Sequence, residues 1–159
     1  MTNKEIADVL FEVAILMDLK GENPFRSRAY QNAARQIETL DRDVKDLLES
    51  GELSGIRGIG KGMSDNIAEL VTTGTLRLYD DLKASIPAGL LDMLGIPGLG
   101  PKRIRIIHEQ LGAETLEDLE AACREDRLSG LAGFGAKTQA NVMAGIESLK
   151  RSRGLYLSC

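Results

Sequence analysis

Residues 53–67 read LSGIRGIGKGMSDNI, and the fold follows from this stretch. Its skeleton is Leu53, Ile56, Gly58, Ile59, Gly60 and Ile67, and it returns forty residues later as Met93, Ile96, Gly98, Leu99, Gly100 and Ile107. A third copy comes after thirty-five more residues, as Leu128, Leu131, Gly133, Phe134, Gly135 and Val142. Self-similarity at fixed offsets marks a repeated supersecondary unit. Two glycines flanking one apolar residue allow a tight turn whose backbone angles are closed to other residues, so a short helix folds back against a longer one. The apolar residue pins the turn. The second glycine opens the next helix, where backbone N–H groups lack partners, the macrodipole is positive and no side chain blocks approach. A phosphate fits such a place. Lys61, Lys102 and Lys137 stand beside the three turns, where each can add a charge-assisted contact.

Outward from the turns the chain reads as all-α, with 17 glycines that punctuate helices among many leucines, isoleucines and alanines. A first helix is predicted over residues 3–19, opened by a Thr2/Glu5 capping box and carrying Ile6, Val9, Leu10, Val13 and Leu16 on one face. Asn23 and Pro24 start a second helix, in which Tyr30, Ala33, Ala34 and Ile37 recur at helical spacing. Shorter helices are predicted at 43–49, 63–72, 76–84, 88–94 and 101–111, then one from Leu116 behind a Thr115/Asp118 cap and a last one over 136–151. No stretch alternates as a strand does. The segment around Pro87 is the best boundary, giving two helical units at 1–85 and 86–159.

Composition narrows the chemistry. With 43% apolar and 28% charged residues, the 159-residue chain has ordinary globular composition and room for one domain or two small ones. No apolar run approaches the roughly 18 residues that cross a bilayer, and the N-terminus lacks the pattern of a signal peptide, so a cytoplasmic protein without membrane contact is expected. Cys123 and Cys159 form no disulfide framework and have no ligand at metal spacing. A single histidine, His108, disfavours histidine-based catalysis and multi-histidine metal sites. The net charge of -4 argues against coating nucleic acid by a bulk positive field, so any such binding must be local. Lys102, Arg103 and Arg105 form one basic cluster; Arg26, Arg28 and Arg35 form another. The neighbouring segment with Glu114, Glu117, Asp118, Glu120, Glu125 and Asp126 is acidic and is expected to face away from DNA.

The repeated turn resembles the helix-hairpin-helix motif of proteins that hold DNA backbones without reading bases. With its flanks the likeness sharpens. NPFRSRAYQNAARQI at 23–37 and GIRGIGKGMSDNIAELVTTGTL at 55–76 resemble the amino-terminal lyase domain of family X DNA polymerases, the bacterial branch most closely. IPGLGPKRIRIIHEQLG at 96–112 and TLEDLEAACREDRLSGLAGFGAKTQANVMAGIESLKRS at 115–152 resemble the tandem hairpins that precede the palm in those enzymes. The resemblance implies a compact bundle of short helices like the amino-terminal domain of DNA polymerase beta. The palm of those polymerases, with its nucleotidyl-transfer carboxylates, begins about where this chain ends, so the chain reads either as part of a larger polymerase or as a free-standing relative.

The same resemblance assigns roles. A basic residue and a tyrosine that hold the 5′-phosphate of a gap match Arg26 and Tyr30, with Arg28 between them and Lys61 beside the first turn. Backbone contacts fall to Gly58, Gly60, Gly98, Gly100, Gly133 and Gly135, with Lys102, Arg103, Arg105 and Lys137 as basic partners. The lysine that forms a Schiff base in the family's lyase reaction is replaced by Asn66, whose amide nitrogen cannot form that imine. Gly62 stands where some relatives place a further basic phosphate ligand. Family hairpins also hold potassium or sodium through backbone carbonyls; the matching positions are Ser54, Ile56 and Ile59, then Leu94, Ile96 and Leu99. The expected function is sequence-independent binding of gapped, nicked or 5′-phosphate-ended DNA in repair. The alternatives are an abasic-site or deoxyribose-phosphate lyase acting through Lys61, and a helical protein-interaction module.

Overall fold

Thr2 begins the first helix as its sequence requires. Its hydroxyl accepts from the Glu5 amide at 3.1 Å while the Glu5 carboxylate accepts from the Thr2 amide at 3.0 Å, and these bonds hold the Glu5 carboxyl below its ordinary range. This helix, α1 (Asn3–Lys20), buries Ile6, Leu10, Val13 and Met17 together with Ala7 and Ala14. α2 (Pro24–Glu38) is capped by the Asn23 side chain, which accepts from the Phe25 amide at 2.9 Å. It packs along α1 through Tyr30, Ala33, Ala34 and Ile37, where the alanines let the two backbones approach. The computed structural model describes residues 1–153, so Cys159 lies outside the described residues.

The chain divides into two compact units, the first spanning Met1–Ser85 and the second starting at Ile86. In the first unit α3 (Val44–Ser50) is held to α1 by Asn3, whose side chain donates to the Arg42 carbonyl at 2.8 Å and accepts from the Val44 amide at 2.9 Å. A 3-10 turn at Leu53–Gly55 leads into α4 (Lys61–Thr73), and α5 (Arg77–Ala84) returns to pack on α1. The second unit contains α6 (Ala88–Met93), α7 (Pro101–Leu111), α8 (Leu116–Arg124) and α9 (Ala136–Ser152) around Met93, Ile104, Ile107, Leu119, Leu128, Val142 and Ile146. All regular structure among the described residues is helical, as expected of an all-α chain. One helix start differs from the sequence expectation by more than one residue: α4 starts at Lys61 and not near Met63. Gly62 sits in the first helical turn, where its weak propensity costs little, and so does not delay the helix.

Cys123 is buried in α8, and burial first, then the Glu120 carboxylate, pushes its thiol up to about 11. It is a packing residue with little thiolate. In the first unit the Tyr79 hydroxyl donates to Glu12 Oε2 at 2.5 Å, tying α5 to α1. That carboxylate, aided by partial burial, pushes the Tyr79 phenol up to about 12. An unfolded tyrosine loses its proton near pH 10. Between roughly pH 10 and 12 the unfolded chain has released this proton and the folded chain has kept it, so stability falls as pH rises through that window. The stability advantage of wild type over Tyr79→Phe, measured by urea unfolding, is therefore expected to shrink across it. An advantage constant with pH would mean that Glu12 does not hold the phenol.

Candidate nucleic-acid interface

The three repeated turns share one geometry. Gly58, Gly98 and Gly133 have φ of 88°, 85° and 82°, left-handed values that a side chain resists. Each turn is closed the same way: the Ile59 amide donates to the Ile56 carbonyl at 2.9 Å, Leu99 to Ile96 at 3.1 Å and Phe134 to Leu131 at 3.0 Å. The second glycines, Gly60, Gly100 and Gly135, are extended N-caps of α4, α7 and α9, and none provides a side chain to cap the helix. A Cβ placed on any of the three would meet nothing within 4 Å. The first-turn amides of these helices are therefore left uncovered by protein at the cap. The pins differ, since Ile59 and Leu99 are buried whereas Phe134 is only half-buried.

The cations differ in their partners. Away from the turns several are paired, Lys4 with Asp8 at 3.5 Å, Arg42 with Glu52 at 2.8 Å, Arg77 with Asp81 at 3.9 Å, Arg127 with Glu125 at 3.2 Å and Arg153 with Asp92 at 2.8 Å, whereas Lys20, Arg35, Lys45, Lys83 and Arg151 enter no ion pair among the described residues. Glu120 on the acidic α8 takes both Arg124 and Lys150 at 3.2 Å. Lys61, Lys102 and Lys137 are exposed and enter no ion pair among the described residues. Arg57, at the tip of the first turn, is in the same state, and the sequence reading passed over it. Pro97 and Ala132 hold the matching places in the other two copies, so the repeat frame itself contained the signal.

The residues expected to hold a 5′-phosphate are only partly gathered. Tyr30 is 6% exposed, and its hydroxyl accepts from Asn66 Nδ2 at 2.8 Å, which joins α2 to α4 at the position the resemblance gives to the lyase lysine. Burial raises the Tyr30 phenol above its ordinary range, opposed by the Arg26 charge and the Asn66 bond. Arg26 pairs with Glu22 at 3.0 Å, and Arg28 lies over the Phe25 ring at 5.3 Å. Phe25 is 74% exposed, and the sequence reading missed it as well. It stands in the first turn of α2 between Pro24 and Arg26, off the face set by Tyr30, Ala33, Ala34 and Ile37, and an aromatic ring placed there has no core to fill. In the second unit Arg105 is half-buried with its Nε 3.9 Å from Glu109, while Arg103 donates to the Gly98 carbonyl at 3.3 Å and lies over the Phe134 ring at 5.4 Å.

Comparison with known proteins agrees with this geometry. Residues 1–76 match a helix-hairpin-helix domain, and residues 90–148 match a SAM-like helix-hairpin-helix tandem. The chain is 36% identical over 143 residues to the DNA polymerase/3′-5′ exonuclease PolX of Bacillus subtilis (strain 168), covering 90% of this chain and 25% of that protein. It is 29% identical over 136 residues to DNA polymerase lambda of Arabidopsis thaliana, covering 85% of this chain and 24% of that protein. The chain thus spans about a quarter of the length of these relatives. With two helix-hairpin-helix domains and this likeness along most of its length, the chain is a relative of family X DNA polymerases and corresponds to their amino-terminal region.

Proposed function

We propose that the chain binds DNA through the sugar-phosphate backbone without reading base sequence, its first unit taking a gap or 5′-phosphate end and its second unit the flanking duplex. One observation carries the proposal: in a chain of net charge -4, each of three glycine-capped helix starts has beside it an exposed lysine with no ion pair among the described residues. Uncovered amides and a positive helix end attract an anion, and a lysine left without an internal partner exchanges only water for a phosphate oxygen. At the first unit, Arg26, Arg28, Tyr30 and Lys61 receive the end phosphate. Phe25 offers a stacking face to an unpaired base, a contact that every base can make and that is worth about 1–3 kcal/mol. Asn66 keeps Tyr30 in place with a side-chain amide that has no imine chemistry, which favours binding over lyase cleavage. A potassium or sodium ion fits the first two turns by the chemistry of its donors: the Ile56 and Ile96 carbonyls each accept one backbone bond and keep a second lone pair for a hard cation or a bridging phosphate.

The test is a labelled gapped duplex with and without its 5′-phosphate, titrated at several salt concentrations. The phosphate is expected to raise affinity by about tenfold, the lower end of what a hydrogen bond to a charged group contributes. Equal affinity for the two duplexes removes the end-binding claim. Indifference to any duplex at low salt removes DNA binding altogether and leaves the helical hairpins as a surface for protein partners.

A further inference from the structure

We infer that Arg103 is a positioning residue that couples the second and third turns into a single DNA-gripping element; the inference rests on the DNA-binding reading above. Its guanidinium touches both turns at once. Nη1 donates to the Gly98 carbonyl at 3.3 Å, inside the second turn, while Cζ lies 5.4 Å from the centre of the Phe134 ring, the pin of the third. Only a planar cation can lay its face on a ring and direct an edge N–H to a carbonyl together. The partner is equally particular. Ile59 and Leu99 pin their turns as fully buried aliphatic residues, whereas Phe134 keeps part of its ring outside the core, where the guanidinium covers it. Both members of the pair are absent from the first copy, which has Met63 in the place of Arg103 and Ile59 in the place of Phe134. The latch therefore occurs only where two hairpins follow each other within one unit. Its effect is preorganisation: two phosphate cradles held at a fixed separation engage a duplex without first losing the freedom to move apart.

The experiment is a double-mutant cycle on duplex affinity with the full chain. Arg103→Met, which installs the residue of the first copy, and Phe134→Leu, which removes no charge, are each expected to weaken binding about 3- to 10-fold. The double variant is expected to be no weaker than either single variant, because both break one coupling. Phe134→Tyr keeps the ring and is expected to bind as wild type, a rescue that tracks the aromatic face and not volume alone. Arg103→Lys keeps the charge but loses the fork, and is expected to be as weak as Arg103→Met; being an exposed change, it decides the matter even if Phe134→Leu fails to fold. The inference is overturned if Arg103→Lys binds as wild type, if Phe134→Leu folds and binds as wild type, or if the single effects multiply in the double variant, since Arg103 would then be an independent phosphate ligand. Wild-type protein that ignores duplex DNA at low salt overturns the reading beneath it instead.

Discussion

Replacing Gly89 by alanine is expected to cost the second unit about 3 kcal/mol or more, enough to abolish its cooperative unfolding transition at moderate temperature. Gly89 lies in α6 against the loop between α7 and α8. A Cβ there would sit 1.8 Å from the Glu114 carbonyl oxygen and 2.8 Å from both the Glu114 carbonyl carbon and the Thr115 Cα, all of them backbone atoms. A flexible side chain could swing away from such an intrusion; this loop is fixed at several points. The Gly112 amide donates to the His108 carbonyl at 2.9 Å, the Glu114 amide to Asp118 Oδ2 at 3.1 Å, and the Asp118 amide to Thr115 Oγ1 at 3.0 Å. The Glu114 amide is also the chief reason the Asp118 carboxyl sits below its ordinary range. Ala113 and Leu116, on either side, are buried. Retreat of the loop would break the cap of α8 and lift both from the core. Gly62→Ala is the matched control: its Cβ would meet nothing within 4 Å, and alanine in that first helical turn is expected to change stability by no more than about 0.5 kcal/mol. Thermal and urea unfolding followed by circular dichroism separate the two, and a Gly89→Ala protein that melts with wild type would show that the loop yields freely.

The contrast between these glycines shows what a sequence makes legible. The turn glycines were readable because the backbone angle they permit recurs at fixed offsets from apolar residues, and Ile67, Ile107 and Val142 are buried where the repeat frame put them. Gly89 carries no such frame; its reason for being glycine is a loop some twenty-five residues further along the chain, and local pattern is silent about that. The same limit hid the Tyr30 to Asn66 bond between α2 and α4. Helical spacing identified the buried face that includes Tyr30, but it could not name the side chain that meets its hydroxyl. The size of Phe134 beside Ile59 and Leu99 was visible in the repeat frame. That its outer face carries Arg103 was not visible, because a cation over a ring leaves no periodic trace. Charge was legible as clusters only. Which lysines are spent on internal carboxylates and which are not is decided by tertiary neighbours, as the pairing of Lys150 with Glu120 and the unpaired state of Lys137, both on α9, make plain.

That unpaired state sets the second large effect. Replacing Lys61, Lys102 and Lys137 together by alanine is expected to lower duplex affinity by roughly two to three orders of magnitude at about 0.1 M salt, and to reduce the slope of log K against log salt by about 2.7. The size follows from counterion release. Each neutralised phosphate contributes about 0.9 to the slope on duplex DNA, and three independent contacts sum to that figure. Stability should change by no more than about 0.5 kcal/mol per site, since the lysines are exposed and have no ion pair among the described residues to lose. The decisive comparison is a second triple variant, Lys4→Ala, Arg42→Ala and Arg77→Ala, which removes the same formal charge from cations already paired with Asp8, Glu52 and Asp81. Over a Debye length of about 10 Å at that salt, these sites reach DNA only through a screened field, so their loss should scarcely move the slope. Equal damage from the two triples would mean that bulk charge governs binding. An unchanged slope in the turn variant would mean that phosphates are held elsewhere. A loss confined to the turn variant requires that the contacts be made where glycine leaves the helix starts bare.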